Sequence, residues 1–172
     1  ATTNIYDAAG RLEVVINPLG GRTTTVYDDA NRPIVVINPA LCRTTTTYDK
    51  ANRIKTVTIG DNEVTTNHYD AAGRIERIVN AMNDTTTMVY DDANRVRFVT
   101  NPAGETTETV YDANGNPIAT LPPGGGRWTT NYDKADRPIE SVSPLGFCTT
   151  TVCDPDGRPI VAIRPPLDGS TP

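Results

Sequence analysis

The sequence predicts an all-β protein built from tandem repeats of 21 residues. Three observations predict this fold: a Tyr-Asp pair returns every 21 residues, short β-branched segments lie between the pairs, and two kinds of turn sequence separate these segments. A fixed period between about 20 and 50 residues is typical of a repeat architecture. We therefore expect one array of about eight repeats over residues 1–172, with a degenerate last copy and with contacts mainly between neighbouring repeats.

The Tyr-Asp pair is the reference point of each repeat, with Tyr in the first place and Asp in the second. All 7 tyrosines of the chain stand in this column, and Cys153 takes the place of an eighth. We expect a structural role, in which the Tyr rings pack along the sheet and each Asp fixes a turn. The YD column consists of Tyr6, Tyr27, Tyr48, Tyr69, Tyr90, Tyr111, Tyr132, Asp7, Asp28, Asp49, Asp70, Asp91, Asp112, Asp133 and Asp154.

The first turn follows each Asp and has the pattern Asp-x-x-(Gly/Asn)-Arg. The fifth place holds a residue type that tolerates positive φ, as at Gly10, Asn31 and Asp136. The Asp carboxylate can accept backbone N–H groups in an Asx-turn, and it can also meet the Arg that closes the turn. The sixth place is Arg in every repeat except at Asn116.

Two strands and a second turn complete each repeat. Residues 12–17 and 33–38 are β-branched runs, in which Pro33 takes the first place of a strand, where proline is tolerated. Sequences such as Asn-Pro-Leu-Gly at 17–20 then predict a second tight turn. The Thr-rich segments that follow, such as 23–27, favour a second strand.

The order strand, turn, strand, turn predicts an antiparallel meander of β-hairpins that forms a curling or spiralling strip of about sixteen strands. No segment has the apolar spacing of a helix. The alternative is a β-solenoid in which each repeat forms one coil, with equivalent Tyr rings about 4.8 Å apart instead of about 10 Å. The period alone does not choose between these two folds.

Composition and charge limit the function classes. The net charge of -5, with arginines spread through the repeats, argues against a nucleic-acid partner. No apolar run is long enough for a membrane span, and no signal peptide pattern is present. Because the chain begins inside a repeat, we expect it to be an excerpt or a processed piece of a longer protein.

The residues predict no catalytic, cofactor or metal site. The Asp residues of successive turns should lie about 10 Å apart, too far to share one ion. The lone His68 stands where other repeats have Val, and the few serines do not suggest a triad. The 3 cysteines, Cys42, Cys148 and Cys153, do not form a disulfide framework, because an odd number cannot pair completely. We therefore expect a protein that is not an enzyme and needs no cofactor.

The full 21-residue pattern resembles the YD repeats, or Rhs repeats, of Rhs proteins, toxin-complex shell proteins, wall-associated bacterial proteins and teneurins. The pattern is Tyr-Asp-x-x-Gly-Arg, a hydrophobic run, Asn-Pro-x-Gly, and Thr-Thr-x-x-Tyr-Asp, and it covers essentially all of the chain. The resemblance implies β-hairpins in a long strip, which in larger members spirals into a hollow shell around a toxin or other cargo. It also implies a bacterial protein that is secreted or on the cell surface. Asp154-Pro155-Asp156-Gly157-Arg158 overlaps the Asp-Pro-x-Gly-Leu signature of the Rhs self-cleaving region only in part.

Three functional hypotheses follow. The first is a non-catalytic rod or fibre building block that self-associates, or binds further copies of the repeat, through its sheet edges. The second is a slice of an Rhs-type shell that encloses a toxin. The third is an adhesion module for surface glycans or cells, in which an exposed aromatic such as Trp128 would stack on a sugar.

Overall fold

The computed structural model describes residues 1–154, 156 and 158–163. All sixteen elements in this part of the chain are β-strands. They fall into two compact units, Ala1–Thr86 and Thr87–Pro172. The Pro-rich end of the degenerate last repeat lies outside the described residues, as do two places of the partial Rhs signature at 155 and 157.

The first unit contains eight strands that pair in chain order. Each strand is antiparallel to the next, so two turns per repeat connect adjacent strands. The strands are β1 (Thr3–Tyr6), β2 (Leu12–Ile16), β3 (Arg22–Tyr27), β4 (Pro33–Ile37), β5 (Arg43–Tyr48), β6 (Ile54–Ile59), β7 (Glu63–Tyr69) and β8 (Ile75–Val79).

The second unit has the same antiparallel order, from β9, which begins at Thr85, to β16. Its strands are β9 (Thr85–Tyr90), β10 (Val96–Thr100), β11 (Thr106–Tyr111), β12 (Pro117–Leu121), β13 (Trp128–Tyr132), β14 (Pro138–Val142), β15 (Cys148–Cys153) and β16 (Pro159–Ile163). The prediction of an all-β hairpin array is confirmed. The solenoid alternative is wrong, because consecutive strands within each unit pair with each other in antiparallel fashion.

The hairpin around each first turn contains a β-bulge that the sequence analysis does not anticipate. In the second repeat Val26 pairs with Val35 but Tyr27 pairs with Pro33, so Ile34 is the extra residue. Every first-turn hairpin of the described chain has the same register shift, at the step into the Tyr of the YD column or, in the last repeat, into Cys153. A bulge increases the local twist and re-aims the residues beside it.

Several second turns are held in the same way as the first turn, with Asn in place of Asp. Asn17 Oδ1 accepts the backbone N–H groups of Leu19 at 2.9 Å and Gly21 at 2.8 Å, and Gly20 adopts a φ of 82°. In the second repeat this left-handed place belongs to Leu41, with a φ of 63°. The second turns therefore tolerate a residue that the conformation disfavours.

The hydrophobic core is thin. The buried apolar side chains of the described residues are Val14, Val35 and Ala119, which are 2%, 8% and 2% exposed. All three stand in the ninth place of their repeats, opposite the residue that precedes a Tyr. With so little buried area, turn and cross-strand interactions must carry much of the specificity of the fold.

Candidate functional site

The first turn is held by a single carboxylate that accepts three hydrogen bonds. In the first repeat, Asp7 Oδ1 accepts the backbone N–H groups of Ala9 and Arg11, both at 2.9 Å, and Asp7 Oδ2 accepts Arg11 Nε–H at 2.7 Å. Gly10 between them has a φ of 79°. The structure thus shows both interactions that the sequence predicts for this Asp, the Asx-turn and the contact with the closing Arg.

The same Asp-Arg pair recurs along the array. The shortest N to O distance of each pair lies between 2.6 and 2.8 Å. In seven repeats the fifth place lies in the left-handed region, as Gly, Asn or Asp. The pairs are Asp7–Arg11, Asp28–Arg32, Asp49–Arg53, Asp70–Arg74, Asp91–Arg95, Asp133–Arg137 and Asp154–Arg158.

In five repeats the Tyr hydroxyl ties the repeat to the one before it. Tyr27 Oη–H donates to the carbonyl oxygen of Leu12 at 3.0 Å, and Tyr69 donates to Ile54 at 2.7 Å. Both acceptors open the first strand of the preceding repeat, 15 residues upstream. Equivalent hydrogen bonds run from Tyr48 to Pro33, from Tyr111 to Val96 and from Tyr132 to Pro117.

The Arg of one repeat also lies over the Tyr ring of the next. The Arg53 guanidinium carbon is 4.3 Å from the centroid of Tyr69, and Arg11 is 4.8 Å from that of Tyr27. Arg11 Nη1 continues to Asn31 Oδ1 at 2.8 Å, in the next turn. A cation within about 6 Å of an aromatic face is attracted to the ring. Arg11, Arg32 and Arg95 therefore each join their own Asp, the next Tyr ring and the next turn.

The sixth repeat replaces this arrangement with a matched polar substitution. Asn116 stands in the Arg place, and its Nδ2 donates to Asp112 Oδ2 at 3.0 Å and to Asp136 Oδ1 at 2.6 Å. Asp136 occupies the fifth place of the seventh repeat, where other repeats have Gly or Asn. An amide donor that is shorter than Arg thus meets a carboxylate acceptor, and the link between repeats survives.

The hydrogen bonds lower the pKa of every Asp of the column. The pKa of Asp7 lies below its usual value because Arg11 donates its backbone N–H and then its side chain to the carboxylate. The pKa of Asp28 is lowered first by the Arg32 side chain and then by the Arg32 backbone N–H. A hydrogen bond to the charged form favours that form, so these carboxylates are ionised at neutral pH.

The histidine, the free cysteines and the tryptophan, which could take part in catalysis or binding, do not form a cluster in the described part of the chain. His68 Nε2 is 3.1 Å from Arg77 Nη2, across β7 and β8. Cys42 and Cys148 are free thiols, and Trp128 is 52% exposed. Within the described ranges, no three His, Cys, Asp or Glu side chains are grouped so that they could hold a metal ion. Over the same ranges, no helix has the length and apolarity to cross a membrane.

A family model described as the teneurin YD-shell matches residues 2–165. The chain belongs to this family. A search of curated proteins found no sequence relative of this YD-shell chain.

Solved structures share the fold of this YD-shell chain. "TcdB2-TccC3 without hypervariable C-terminal region" superposes with a TM-score of 0.66 at 14% identity, over 98% of this chain and 11% of that chain. "TcdB2-TccC3-Cdc42" gives 0.64 at 14% identity, over 95% and 11%. The Photorhabdus luminescens Tc holotoxin pore gives 0.59 at 14% identity, over 97% and 12%. This YD-shell chain thus spans about a tenth of the length of these structures.

Sequence reasoning finds the Asp-Arg turn but misses the contacts between repeats. The Tyr27 hydroxyl bond to Leu12 and the Arg11 contact with Tyr27 both join places that are far apart along the 21-residue pattern. The substitution of Asn116 opposite Asp136 was the available signal, because both places depart from the pattern in consecutive repeats. In this YD-shell chain the recurring Tyr and Arg side chains therefore connect hairpins.

Proposed function

We propose that this chain is a non-catalytic structural segment of the wall of a larger YD-repeat shell, secreted or exposed on a bacterial surface. The observation that carries the proposal is the contact of four arginines, Arg11, Arg32, Arg53 and Arg95, with the Asp of their own turn and the Tyr ring of the next repeat, as at Arg32 with Asp28 and Tyr48. These polar groups stiffen a single-layer array that has little buried core.

The regularity of the repeats supports a wall. Every described hairpin has short turns, and none of them is enlarged into a loop that could carry a site. Family membership and the likeness to Tc toxin structures favour a shell that surrounds a toxin or other cargo over an isolated module. Because this chain covers only about a tenth of those structures, we expect it to form one part of such a wall.

The experiment uses the natural gene product that carries this sequence. Negative-stain electron microscopy of that protein should show hollow particles, and limited proteolysis should spare an enclosed segment until the particle is denatured. Open rods, or a cargo that is digested at the same rate with and without denaturant, would reject the shell.

A rod or fibre is the second candidate. It is favoured by large apolar side chains at the second turns, where Leu19 is 95% and Leu145 is 82% exposed. Exposed apolar side chains at turn tips suit contact with another chain. Rods in the same micrographs that lengthen with protein concentration would support this candidate and exclude the shell.

The absence of catalysis is part of the proposal. The Asp oxygens accept hydrogen bonds from their own turn, as Asp49 does from Ala51 and Arg53, which leaves them poorly placed for proton transfer or metal binding. Hydrolase screens and metal titration on the purified chain and on Asp70→Ala test this. A rate or a bound metal that Asp70→Ala removes would contradict it.

A further inference from the structure

The second turns of the first unit form a row with an apolar and basic half and an apolar and acidic half. Equivalent turns of adjacent repeats are two strands, or about 10 Å, apart. We call this row the tip row, and it runs from the turn at 17–21 through those at 38–42 and 60–62 to the turn at 80–84. From these side chains we infer a docking surface for a second copy of the same chain.

The basic half consists of the first two tips. Leu19 is 95% exposed and Leu41 is 83% exposed. Arg22 and Arg43 follow them at equivalent places, opposite Ile16 and Ile37, and both are exposed. Within the described part of the chain neither guanidinium meets a carboxylate, and Arg22 donates only to Thr24 Oγ1 at 3.2 Å.

Leu41 places an apolar side chain in the basic half although its backbone conformation and its exposure both disfavour leucine. It adopts a φ of 63°, in a place where Gly and Asn stand in other second turns of the chain. The left-handed region disfavours a side chain with a Cβ, and full exposure of a leucine to water brings no compensating burial. Contact with a partner would supply that burial.

The acidic half consists of the third and fourth tips. Met82 is 79% exposed and Ile59 is 45% exposed. They border an open groove of about 390 Å³, lined by Ile59, Glu63, Thr65, Asn80, Ala81 and Met82. Glu63 lines this groove, and Asp61 and Asp84 belong to the same two tips. All three carboxylates are exposed, and none has a cationic partner within the described residues.

The two halves complement each other about a two-fold axis between the second and third tips. An antiparallel approach of two tip rows places the first tip opposite the partner's fourth and the second opposite the partner's third. Leu19 and Leu41 then lie beside the apolar groove of the other copy, and Arg22 and Arg43 face carboxylates. Because the spacing is the same in both copies, all four contacts form together, as in an isologous dimer.

The expected dimer is weak and dependent on salt. Four turn tips make a small interface, which is typical of micromolar or weaker association. Sedimentation velocity of the 172-residue chain should show a dimer that grows with concentration at about 0.1 M NaCl and diminishes at about 1 M, since the screening length falls from about 10 Å to about 3 Å. A chain that stays monomeric at high micromolar concentration would overturn the proposal.

Variants with matched controls locate the surface. The Arg22→Glu/Arg43→Glu double variant should weaken the dimer by roughly tenfold or more, because like charges then meet. Arg127→Glu, at the equivalent place of the sixth repeat, should leave it unchanged. Leu19→Ser should weaken it, whereas Leu145→Ser, an equally placed tip in the other unit, should not. An equal effect of variant and control would contradict the assignment.

A charge exchange makes the test independent of folding defects. Glu63→Arg/Asp84→Arg makes all four tips basic or neutralised, and Arg22→Glu/Arg43→Glu makes all four acidic. Each double variant alone should remain monomeric, and an equimolar mixture should recover the dimer. A mixture that stays monomeric although both variants keep the circular dichroism of the natural chain would refute the two-fold arrangement. None of these changes alters a residue of the Asp-Arg-Tyr contacts on which the shell proposal rests. Either proposal can therefore fail without the other.

Discussion

Asn131 and Glu140 face each other across β13 and β14, with 2.6 Å between Nδ2 and Oε2. The same two places form a polar pair in two other repeats, Thr47–Thr56 at 2.6 Å and His68–Arg77 at 3.1 Å. In the remaining repeats of residues 1–154 both members are apolar, as at Ile5–Val14, Val26–Val35, Val89–Phe98 and Val110–Ala119. Each hairpin therefore matches polar with polar and apolar with apolar at one fixed pair of places.

A double-mutant cycle on this pair should show coupling. Asn131→Val leaves Glu140 without its hydrogen-bond donor, and Glu140→Val leaves the amide unpaired, so each single variant should lose stability. The double variant restores a matched pair like Val26–Val35 and should recover most of the loss. We expect a coupling free energy of about 0.5 to 1 kcal/mol in urea unfolding.

The reverse exchange is the control for that cycle. Val35→Glu alone introduces a carboxylate at a place that is 8% exposed, and adding Val26→Asn should recover part of the lost stability. If the effects of the single changes simply add in both hairpins, the matching has no energetic basis and reflects composition alone.

The matched pairs also show where sequence reasoning ends. The period, the turn residues and the β-branched runs were enough to predict antiparallel hairpins, and Asp7 with Arg11 was predicted as a pair because both belong to one turn. The pairing of Val26 with Val35 was not predictable. Counting back from Tyr27–Pro33 without a bulge would place Val26 opposite Ile34. A bulge depends on local twist, which no residue of the pattern specifies.

Contacts between repeats were missed for a related reason. The Tyr48 hydroxyl reaches the carbonyl oxygen of Pro33 because β5, which ends at Tyr48, pairs with β4, which begins at Pro33. A backbone acceptor has no side-chain identity, so no substitution along the sequence reveals it. A contact between two side chains can be read from the sequence, by contrast. Because Asn116 stands in the Arg place, the sequence shows that this place supplies no cation for the ring of Tyr132.

The Tyr hydroxyl bond predicts a selective effect of Tyr→Phe. Tyr69→Phe removes the hydroxyl donor that lies 2.7 Å from the Ile54 carbonyl oxygen, which keeps Asn67 Nδ2 at 3.2 Å, and should lower the free energy of unfolding by about 0.5 to 1 kcal/mol. The packing of the ring and its contact with Arg53 remain. Tyr6→Phe is the matched control, because Tyr6 is 57% exposed and its hydroxyl has no partner among the described residues. Equal losses from both variants would show that the hydroxyl bond is not the cause.

The lowered pKa of the Asp column predicts acid lability. A carboxyl whose folded pKa lies below its unfolded value contributes stability above the unfolded pKa, and this contribution is lost as the pH falls through the folded pKa. The pKa of each Asp is lowered, as at Asp49 by the backbone N–H of Arg53. Stability should therefore hold near neutral pH and decline below about pH 4. Urea midpoints measured from pH 7 to pH 2 check this decline.

Removing one carboxylate tests whether the Asp column causes this decline in stability at low pH. Asp70→Ala removes the acceptor for the Arg74 backbone N–H and for Arg74 Nε, so it should destabilise the turn at neutral pH. The difference from the natural chain should shrink as the pH falls, because protonation weakens the same acceptor in the natural protein. A constant difference at all pH values would assign the effect to packing instead of charge.

Leu41 predicts a separation of stability from association. Leu41→Gly removes the Cβ from a residue with a φ of 63° and should raise the free energy of unfolding of the monomer by about 1 kcal/mol. The same change deletes an exposed apolar side chain from the tip row and should weaken the dimer. Leu19→Gly is the control, since the left-handed place of that turn belongs to Gly20 and the variant gains no relief. Thermal unfolding at low protein concentration and sedimentation at high concentration measure the two effects separately. If Leu41→Gly were neutral or destabilising in the monomer, the left-handed leucine would be favoured by contacts within the chain, and its exposure would no longer point to a partner.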